Sequence, residues 1–480
     1  MEAAMARRSG WLLWSREGYD GRVNEPQTPE SPGPAGNGSR GVTAIAAADP
    51  HHRSRPAHRG DTLVDQIITD RAVDVEFQAV VDSRRDQIVA FEALARGPEG
   101  PLRSPLQLFN AARAVDRLGE LDWVCRAEAF RRMLAADLPP AMSLFVNIEA
   151  DSLIEPCPDD LLPVMKSAED RLRVFVDLTG QALSRYPCQV LETVRRARAA
   201  GWGIAVTDVA YSSAGLTLLP VIEPDVIKVD QRILTNRVGQ TAEAILASLA
   251  ESEHTGAALL MERVESREDA MTARAFGATY KQGRLLGREG PLPTTGTVPT
   301  APLPLLRTHE IDVPRTPFEV LLDGGAHQTS GVTPEAMGQL IQTIASQACA
   351  SQRAPVVAAI TPAGSAIDAA TEAMWRMLLE RCPLVVVLGP DVSRWNDWRV
   401  RAADVPEGHP FGREHCFLAL SPSSAMAVAA RPHPGANPRD PTWDLAVSQQ
   451  QSLCRDVLRH LLATVDTLDG GVHHGPRGAS

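Results

Sequence analysis

The spacing of apolar residues changes at Val75. Glu76–Asp82 and Ile88–Arg96 read as strands and Ser83–Gln87 between them as a turn, so the two runs predict a hairpin. Helical spacing follows at Leu106–Val115 and Leu121–Leu134. Short apolar strands then recur at Leu144–Ile148, Val174–Leu178, Ile204–Asp208, Val226–Val229, Ala257–Glu262 and Thr279–Gly283. The segments between them carry apolar residues on one helical face, as in Val190, Leu191, Val194 and Ala197, and in Ala242, Ile245, Leu246 and Leu249. Counting the hairpin, eight strands alternating with helices predict an α/β fold, a (β/α)8 TIM-like barrel with one antiparallel strand. A doubly wound open sheet is the competing architecture.

The pattern breaks on both sides of this region. Asn24–Asp61 is rich in Pro, Gly, Ser and Arg without periodic apolar residues, which predicts a disordered arm over residues 1–61 with His51 and His52 solvated in it. The barrel is expected over 62–289. Residues 290–317 read as a linker, because Pro291, Pro293, Pro299, Pro302, Pro304, Pro314 and Pro317 are too many for a helix or an interior strand. A smaller α/β unit is expected over 318–465. Its strand candidates are Phe318–Leu322, Pro355–Ile360, Leu384–Leu388 and Cys416–Leu420, and its helices Pro334–Ala348, Ala366–Glu380 and Gln449–Val465. A Gly/His tail over 466–480 is expected to be disordered.

Composition narrows the class. A net charge of −11 over 480 residues excludes a non-specific binder of nucleic acid polymers, which needs a basic surface. Seven scattered cysteines without CxxC spacing read as reduced thiols rather than a zinc site. No stretch approaches the ~18 apolar residues of a bilayer span, and the apolar run Gly10–Trp14 is short for a signal peptide. The expectation is a cytoplasmic chain without membrane insertion.

The chemistry gathers at the strand ends. In such a barrel the site lies at the C-terminal ends of the strands, and those ends carry Glu92, Asn147, Asp177, Asp208, Lys228, Glu262 and Gln282. One polar residue at a strand end is usually a cap or a solvated group; a set at successive strand ends is harder to dismiss. Oxygen ligands of this kind suit Mg²⁺ or Mn²⁺. Two such ions can clamp a phosphodiester and activate water, with a lysine beside them to orient it.

Glu76 to Gly287 resembles the EAL domain of cyclic di-GMP phosphodiesterases. The likeness rests on Phe77–Asp82, Phe91-Glu92-Ala93-Leu94-Ala95-Arg96, Val146-Asn147-Ile148, Asp177-Leu178-Thr179, Asp225–Asp230, Glu262-Arg263-Val264-Glu265 and Gln282-Gly283, in order and spacing. It implies hydrolysis of cyclic di-GMP to the linear dinucleotide with two divalent metals. It further implies metal ligation by Glu92, Asn147, Asp177, Asp208 and Glu262, catalysis by Lys228 and Glu262, and substrate contacts from Gln78, Leu94, Arg96 and Gln282. Glu265 would anchor the active-site loop, although it equally reads as a surface residue of the next helix. A homodimer is plausible on the same likeness.

The departures fall on the same motifs. Asp177 stands where the family has glutamate, and is shorter by about 1.5 Å against a coordination tolerance of ~0.2 Å. Gly180 replaces that motif's second glutamate. The family's Asp-Asp-Phe-Gly-Thr-Gly loop reads Thr207-Asp208-Val209-Ala210-Tyr211-Ser212, so a neutral hydroxyl replaces a carboxylate that contacts both metals, and two glycines are lost. Phe318–Val465 resembles the DICT sensory domain, through Cys382–Gly389, Val400–Val405, His409–Glu414 and Leu420–Ala425, with His415 where that family has tryptophan. Trp375, Trp395, Trp398 and Trp443 in this unit either line a pocket or pack in the core. Together these features suggest a sensor-coupled regulator in cyclic di-GMP signalling, with a degenerate EAL domain that binds the nucleotide or a signalling protein partner. The alternative is an active phosphodiesterase loaded with Mg²⁺ or Mn²⁺.

Overall fold

The computed structural model describes residues 62–469 apart from 210–211, 236–238, 294–297, 307–310, 312–313, 352, 362–368, 396 and 437–440. The expected arm over 1–61 and the tail beyond 469 lie outside the described residues. Eight strands close into a barrel in sequence order: β1 (Asp74–Asp82), β2 (Gln87–Arg96), β3 (Ser143–Ile148), β4 (Arg173–Thr179), β5 (Gly203–Thr207), β6 (Val226–Asp230), β7 (Ala258–Glu262) and β8 (Tyr280–Gln282). β1 is antiparallel to both β2 and β8, and the other pairs are parallel. The predicted closed barrel with one antiparallel strand is what forms.

Around it lie α1 (Leu63–Thr69), α2 (Pro105–Ala114), α3 (Leu118–Ala135), α4 (Leu162–Arg171), α5 (Gly180–Arg185), α6 (Pro187–Ala199), α7 (Ser213–Ile222), α8 (Gln231–Thr235), α9 (Gly239–Thr255) and α10 (Arg267–Ala275). Side chains alternate along a strand, so every second residue enters the barrel. Val80, Ala90, Phe145, Phe175, Ala205, Val226, Ala258, Leu260 and Tyr280 fill the lower interior. Their odd-parity neighbours, such as Phe91, Leu144, Val176, Ile227 and Met261, join the outer core under the helices.

The Pro-rich segment forms no helix or strand between Leu292 and Thr316 among the described residues, as the five prolines within that stretch dictate. It is not a free linker, however. Leu303 is fully buried inside the barrel's apolar layer, with Leu305 packed against it. The segment is also tied at its backbone: Arg173 Nη2 donates to Leu303 O (2.5 Å), and Leu306 N donates to Asp225 Oδ1 (2.5 Å).

The second unit is the smaller α/β domain expected from the sequence. Its seven strands are β9 (His327–Val332), β10 (Val356–Ile360), β11 (Val385–Gly389), β12 (Val400–Asp404), β13 (His415–Ser421), β14 (Ser424–Pro432) and β15 (Trp443–Ser448). They lie in the order β12-β11-β10-β13-β14-β15-β9, with helices α11 (Pro317–Asp323), α12 (Pro334–Ala350), α13 (Ala369–Arg381) and α14 (Gln451–Asp469). Phe318–Leu322, expected as a strand, lies within α11. The reason is local: Thr316 and Glu319 form a reciprocal capping box, and Pro317 occupies the first helical turn. β9, β12, β14 and β15 were not among the strand candidates. α14 runs on to Asp469, so the first residues expected in the tail are helical, and Asp466 pairs with Arg401. Trp375 packs in the core against Trp395 and Phe417, while Trp398 is 47% exposed.

The two units share an interface. On α7, Leu216, Thr217, Leu218, Leu219 and Ile222 are all buried, more than one face of an outer barrel helix requires. β13 and α14 pack against this helix, and Thr217 Oγ1 donates to Ala354 O (3.3 Å).

Candidate functional site

Period-two alternation carries one polar residue from each strand into the upper barrel. Gln78 (β1), Glu92 (β2), Asn147 (β3), Asp177 (β4), Thr207 (β5), Lys228 (β6), Glu262 (β7) and Gln282 (β8) form a ring above the apolar layer. Lys228 is its centre, 2% exposed. Its Nζ lies 2.7 Å from Asp177 Oδ2, 2.8 Å from Glu262 Oε1 and 3.1 Å from Glu92 Oε1. Asn147 Nδ2 donates to Glu92 Oε1 (3.2 Å) and Gln282 Nε2 to Glu92 Oε2 (2.5 Å). Gln282 Nε2 also donates to Gln78 Oε1 (3.1 Å), and Gln78 Nε2 donates to Gly287 O (3.1 Å). Thr207 Oγ1 donates to Glu262 Oε2 (3.2 Å).

Burial and mutual repulsion set the protonation of the ring. Burial penalises the Lys228 ammonium, but the three carboxylates outweigh it and hold the lysine well above its ordinary range. Burial likewise works against the Glu92 carboxylate, yet Lys228, Gln282 and Asn147 hold it below the usual value. Asp177, wholly buried, is pushed upward by burial, against the pull of Lys228 and with the repulsion of Glu92 and Glu262. Glu262 is also raised by burial. One cation among three carboxylates leaves negative charge over, and burial moves both Asp177 and Glu262 toward retaining a proton.

One expected metal ligand, Asp208, and the expected loop anchor, Glu265, stay out of this cluster. Asp208 is exposed at φ 56°, where the chain leaves β5; the inward position there belongs to Thr207. It is felt electrostatically by Glu262 but makes no hydrogen bond to the ring. Glu265 is exposed beside the capping box of α10, with Arg284 3.9 Å away. Gly180 opens α5 against the chain at Asp208: a Cβ there would lie 2.7 Å from Asp208 O, so the glutamate of the family motif could not be accommodated without moving that backbone.

Beside the ring is a cavity of about 410 Å³ between β2, β3, α2 and α3, lined in part by Leu94, Arg96, Phe109, Asn110, Arg113, Asp122, Arg126 and Asn147. Arg96 reaches its wall while its Nε pairs with Glu76 (2.8 Å). Asp122 and Arg126 are buried, ion-paired at 3.0 Å, and Asp122 accepts from Ser152 Oγ (2.6 Å). Sequence reasoning missed Phe109, Asn110, Asp122 and Arg126. The available signal was two charged residues, one turn apart, inside the apolar run of α3.

The donor set, carboxylates with amide and hydroxyl oxygens, suits Mg²⁺ or Mn²⁺ in kind. The geometry does not fit such ions. The three carboxylates converge on an ammonium, and among the described residues no group of three or more His, Cys, Asp or Glu is placed to hold a metal.

The family model described as EAL domain matches residues 61–289. An uncharacterized protein of Azorhizobium caulinodans is 28% identical over 247 residues, which is 48% of this chain and 33% of the relative, so the chain spans about a third of that relative's length. Klebsiella pneumoniae BlrP1, solved as a manganese/cyclic di-GMP complex, is 26% identical with a TM-score of 0.40, over 46% of this chain and 56% of BlrP1. The FimX EAL domain from Pseudomonas aeruginosa, bound to cyclic di-GMP, is 21% identical with a TM-score of 0.42, over 49% of this chain and 98% of FimX's. No helix among the described residues is long and apolar enough to cross a membrane. Residues 61–289, which contain the whole closed barrel, thus match the EAL domain family model.

Proposed function

We propose that the barrel binds cyclic di-GMP across its upper mouth and acts as a nucleotide-responsive regulator with little or no turnover. The single observation that carries this reading is the continuity of the ring with the 410 Å³ cavity, Asn147 bordering both. The cavity combines the Phe109 ring, apolar walls and a buried Asp122–Arg126 pair, which suits a purine base. Arg96 on its wall supplies a guanidinium for a phosphate. Loss of turnover follows from Thr207, whose hydroxyl donates to Glu262 where hydrolysis in this family uses a shared carboxylate. The second domain, DICT-like in sequence, serves in this reading as the sensory input, and its contact with α7 supplies the physical link. A homodimer or a signalling protein partner is compatible with the reading and is not needed for it.

Calorimetry of the full chain with cyclic di-GMP, followed by chromatography for the linear product, tests the proposal. Micromolar binding with product absent or slow supports it. Arg96→Ala should weaken binding by about tenfold, the loss of one charge-assisted contact. Rapid conversion would favour the phosphodiesterase alternative, and flat traces would leave only a role through protein contacts.

A further inference from the structure

Five of the six carboxylate oxygens in the polar ring are already met by donors of the chain. Glu92 Oε1 faces Lys228 and Asn147, and Glu92 Oε2 faces Gln282. Asp177 Oδ2 and Glu262 Oε1 face Lys228, and Glu262 Oε2 takes the Thr207 hydroxyl. Only Asp177 Oδ1 is buried without a hydrogen-bond partner. An ammonium has three N–H donors and no acceptor, and those three match the three carboxylates in number and distance. Lys228 therefore acts as a saturated counter-ion at the centre of the ring.

Thr207 completes this arrangement. A carboxylate in its place would bring two further acceptors and no donor. The hydroxyl instead supplies a proton to Glu262, so the inward positions of β5, β6 and β7 form a donor–acceptor chain from Thr207 through Glu262 to Lys228. A hard divalent cation takes about six oxygen ligands, of which the protein must supply at least one or two carboxylates free to turn toward it, water providing others. Here one unpartnered carboxylate oxygen remains, Asp177 Oδ1, with the amide oxygen Gln282 Oε1 also unpartnered, and to gather further carboxylate oxygens the ion would have to displace the lysine from its partners.

We propose that Lys228, with Thr207 as its accessory donor, is the resident cation of the barrel mouth, and that this mouth works without a bound divalent metal. The clause about the ligand rests on the reading given under Proposed function: an anionic nucleotide is held beside the ring by Arg96 and the amides, and its affinity is independent of Mg²⁺ or Mn²⁺.

The test begins with metal alone. The 480-residue chain is titrated with Mn²⁺ while the free ion is followed by electron paramagnetic resonance, and thermal unfolding checks the fold of each variant. The wild type is expected to leave Mn²⁺ free at equimolar amounts in the hundred-micromolar range. Lys228→Met removes the internal cation, and Thr207→Asp replaces a donor by an acceptor. Each is expected to raise Mn²⁺ affinity by at least an order of magnitude, to one bound equivalent. If Lys228→Met does not fold, Thr207→Asp decides, because it keeps the lysine and its three partners. Stoichiometric Mn²⁺ uptake by the wild type overturns the proposal, and so does a failure of every folded variant to gain the ion. Cyclic di-GMP titrations with and without EDTA form the second arm. Equal affinities support the proposal and loss in EDTA overturns it. Absence of nucleotide binding in both buffers overturns the reading under Proposed function and leaves the manganese result to stand alone.

Discussion

Glu414 and His415 are chain neighbours, and burial moves them in opposite senses. The Glu414 carboxyl is 5% exposed and accepts from Phe318 N (3.0 Å) at the start of α11; burial pushes it up to about 7. His415, edge-on to Trp443 at 4.8 Å, is pushed down by burial to about 4. Between about 4.5 and 7 the folded chain keeps a Glu414 proton that the unfolded chain releases, so this group's contribution falls as pH rises. Between about 4 and 6.5 the unfolded chain binds a His415 proton that the folded chain refuses, so that contribution rises with pH. The two slopes oppose each other across the overlap. Glu414→Gln should therefore make stability climb with pH relative to wild type, and His415→Gln should make it fall, each by about 1.4 kcal/mol per pH unit. Urea unfolding from pH 5 to 6.5 measures both, and variant slopes equal to that of the wild type would contradict the assignment. At the same scale, the ring was legible in the sequence because strand parity is strict. Asp208 was the exception: the acid sits next to the inward position, which Thr207 holds. Asp122 and Arg126 were not legible, since charged residues a turn apart on a helix ordinarily mark a solvated face.

Elements were legible where period and boundary agreed. The barrel strands alternate apolar layers with a polar rim, and their helices carry a single apolar stripe, so both stood out. β9 was not legible: His327–Val332 is almost wholly exposed at the end of a sheet, and nothing in its pattern requires burial. Phe318–Leu322 was misread because a short apolar run has no period of its own, and the capping residues at Thr316 and Glu319 decide it. The Pro-rich segment was legible as irregular backbone but not as a plug. Proline composition reports missing donors, whereas plugging depends on one leucine finding the open bottom of a barrel. Leu303→Ala should then lower stability by about 2–5 kcal/mol, the cost of a large-to-small change in a closed core. Val298→Ala, at a side chain 65% exposed in the same segment, should stay within about 0.5 kcal/mol. Denaturant midpoints at unchanged slope would measure both, and equal, small effects would mean that Leu303 does not seal the barrel.

At the scale of the whole molecule, the charged contacts between the two units set how they unfold. Arg455 on α14 grips Glu251 on α9 with two hydrogen bonds, Nη1 to Oε1 (2.9 Å) and Nη2 to Oε2 (2.6 Å), and the side chains are 5% and 2% exposed. Arg459 reaches Glu223, which ends α7, and Arg353 reaches Glu243 at 2.8 Å. The last two pairs are part-exposed and worth little each. The first is buried, so removing one partner strands a charge in the interface at a cost of about 3–5 kcal/mol. Glu251→Leu with Arg455→Met removes both charges and keeps apolar volume, so the double variant should recover most of that loss. Each single variant should also separate one denaturation transition into two, because the stranded charge is relieved when the units part while each keeps its own core. α7 begins shortly after Thr207, so the same single variants should increase amide exchange at 207–209 and in α7. Two transitions already present in the wild type, or single variants costing under about 1 kcal/mol, would mean that the units fold independently and that no signal crosses this face.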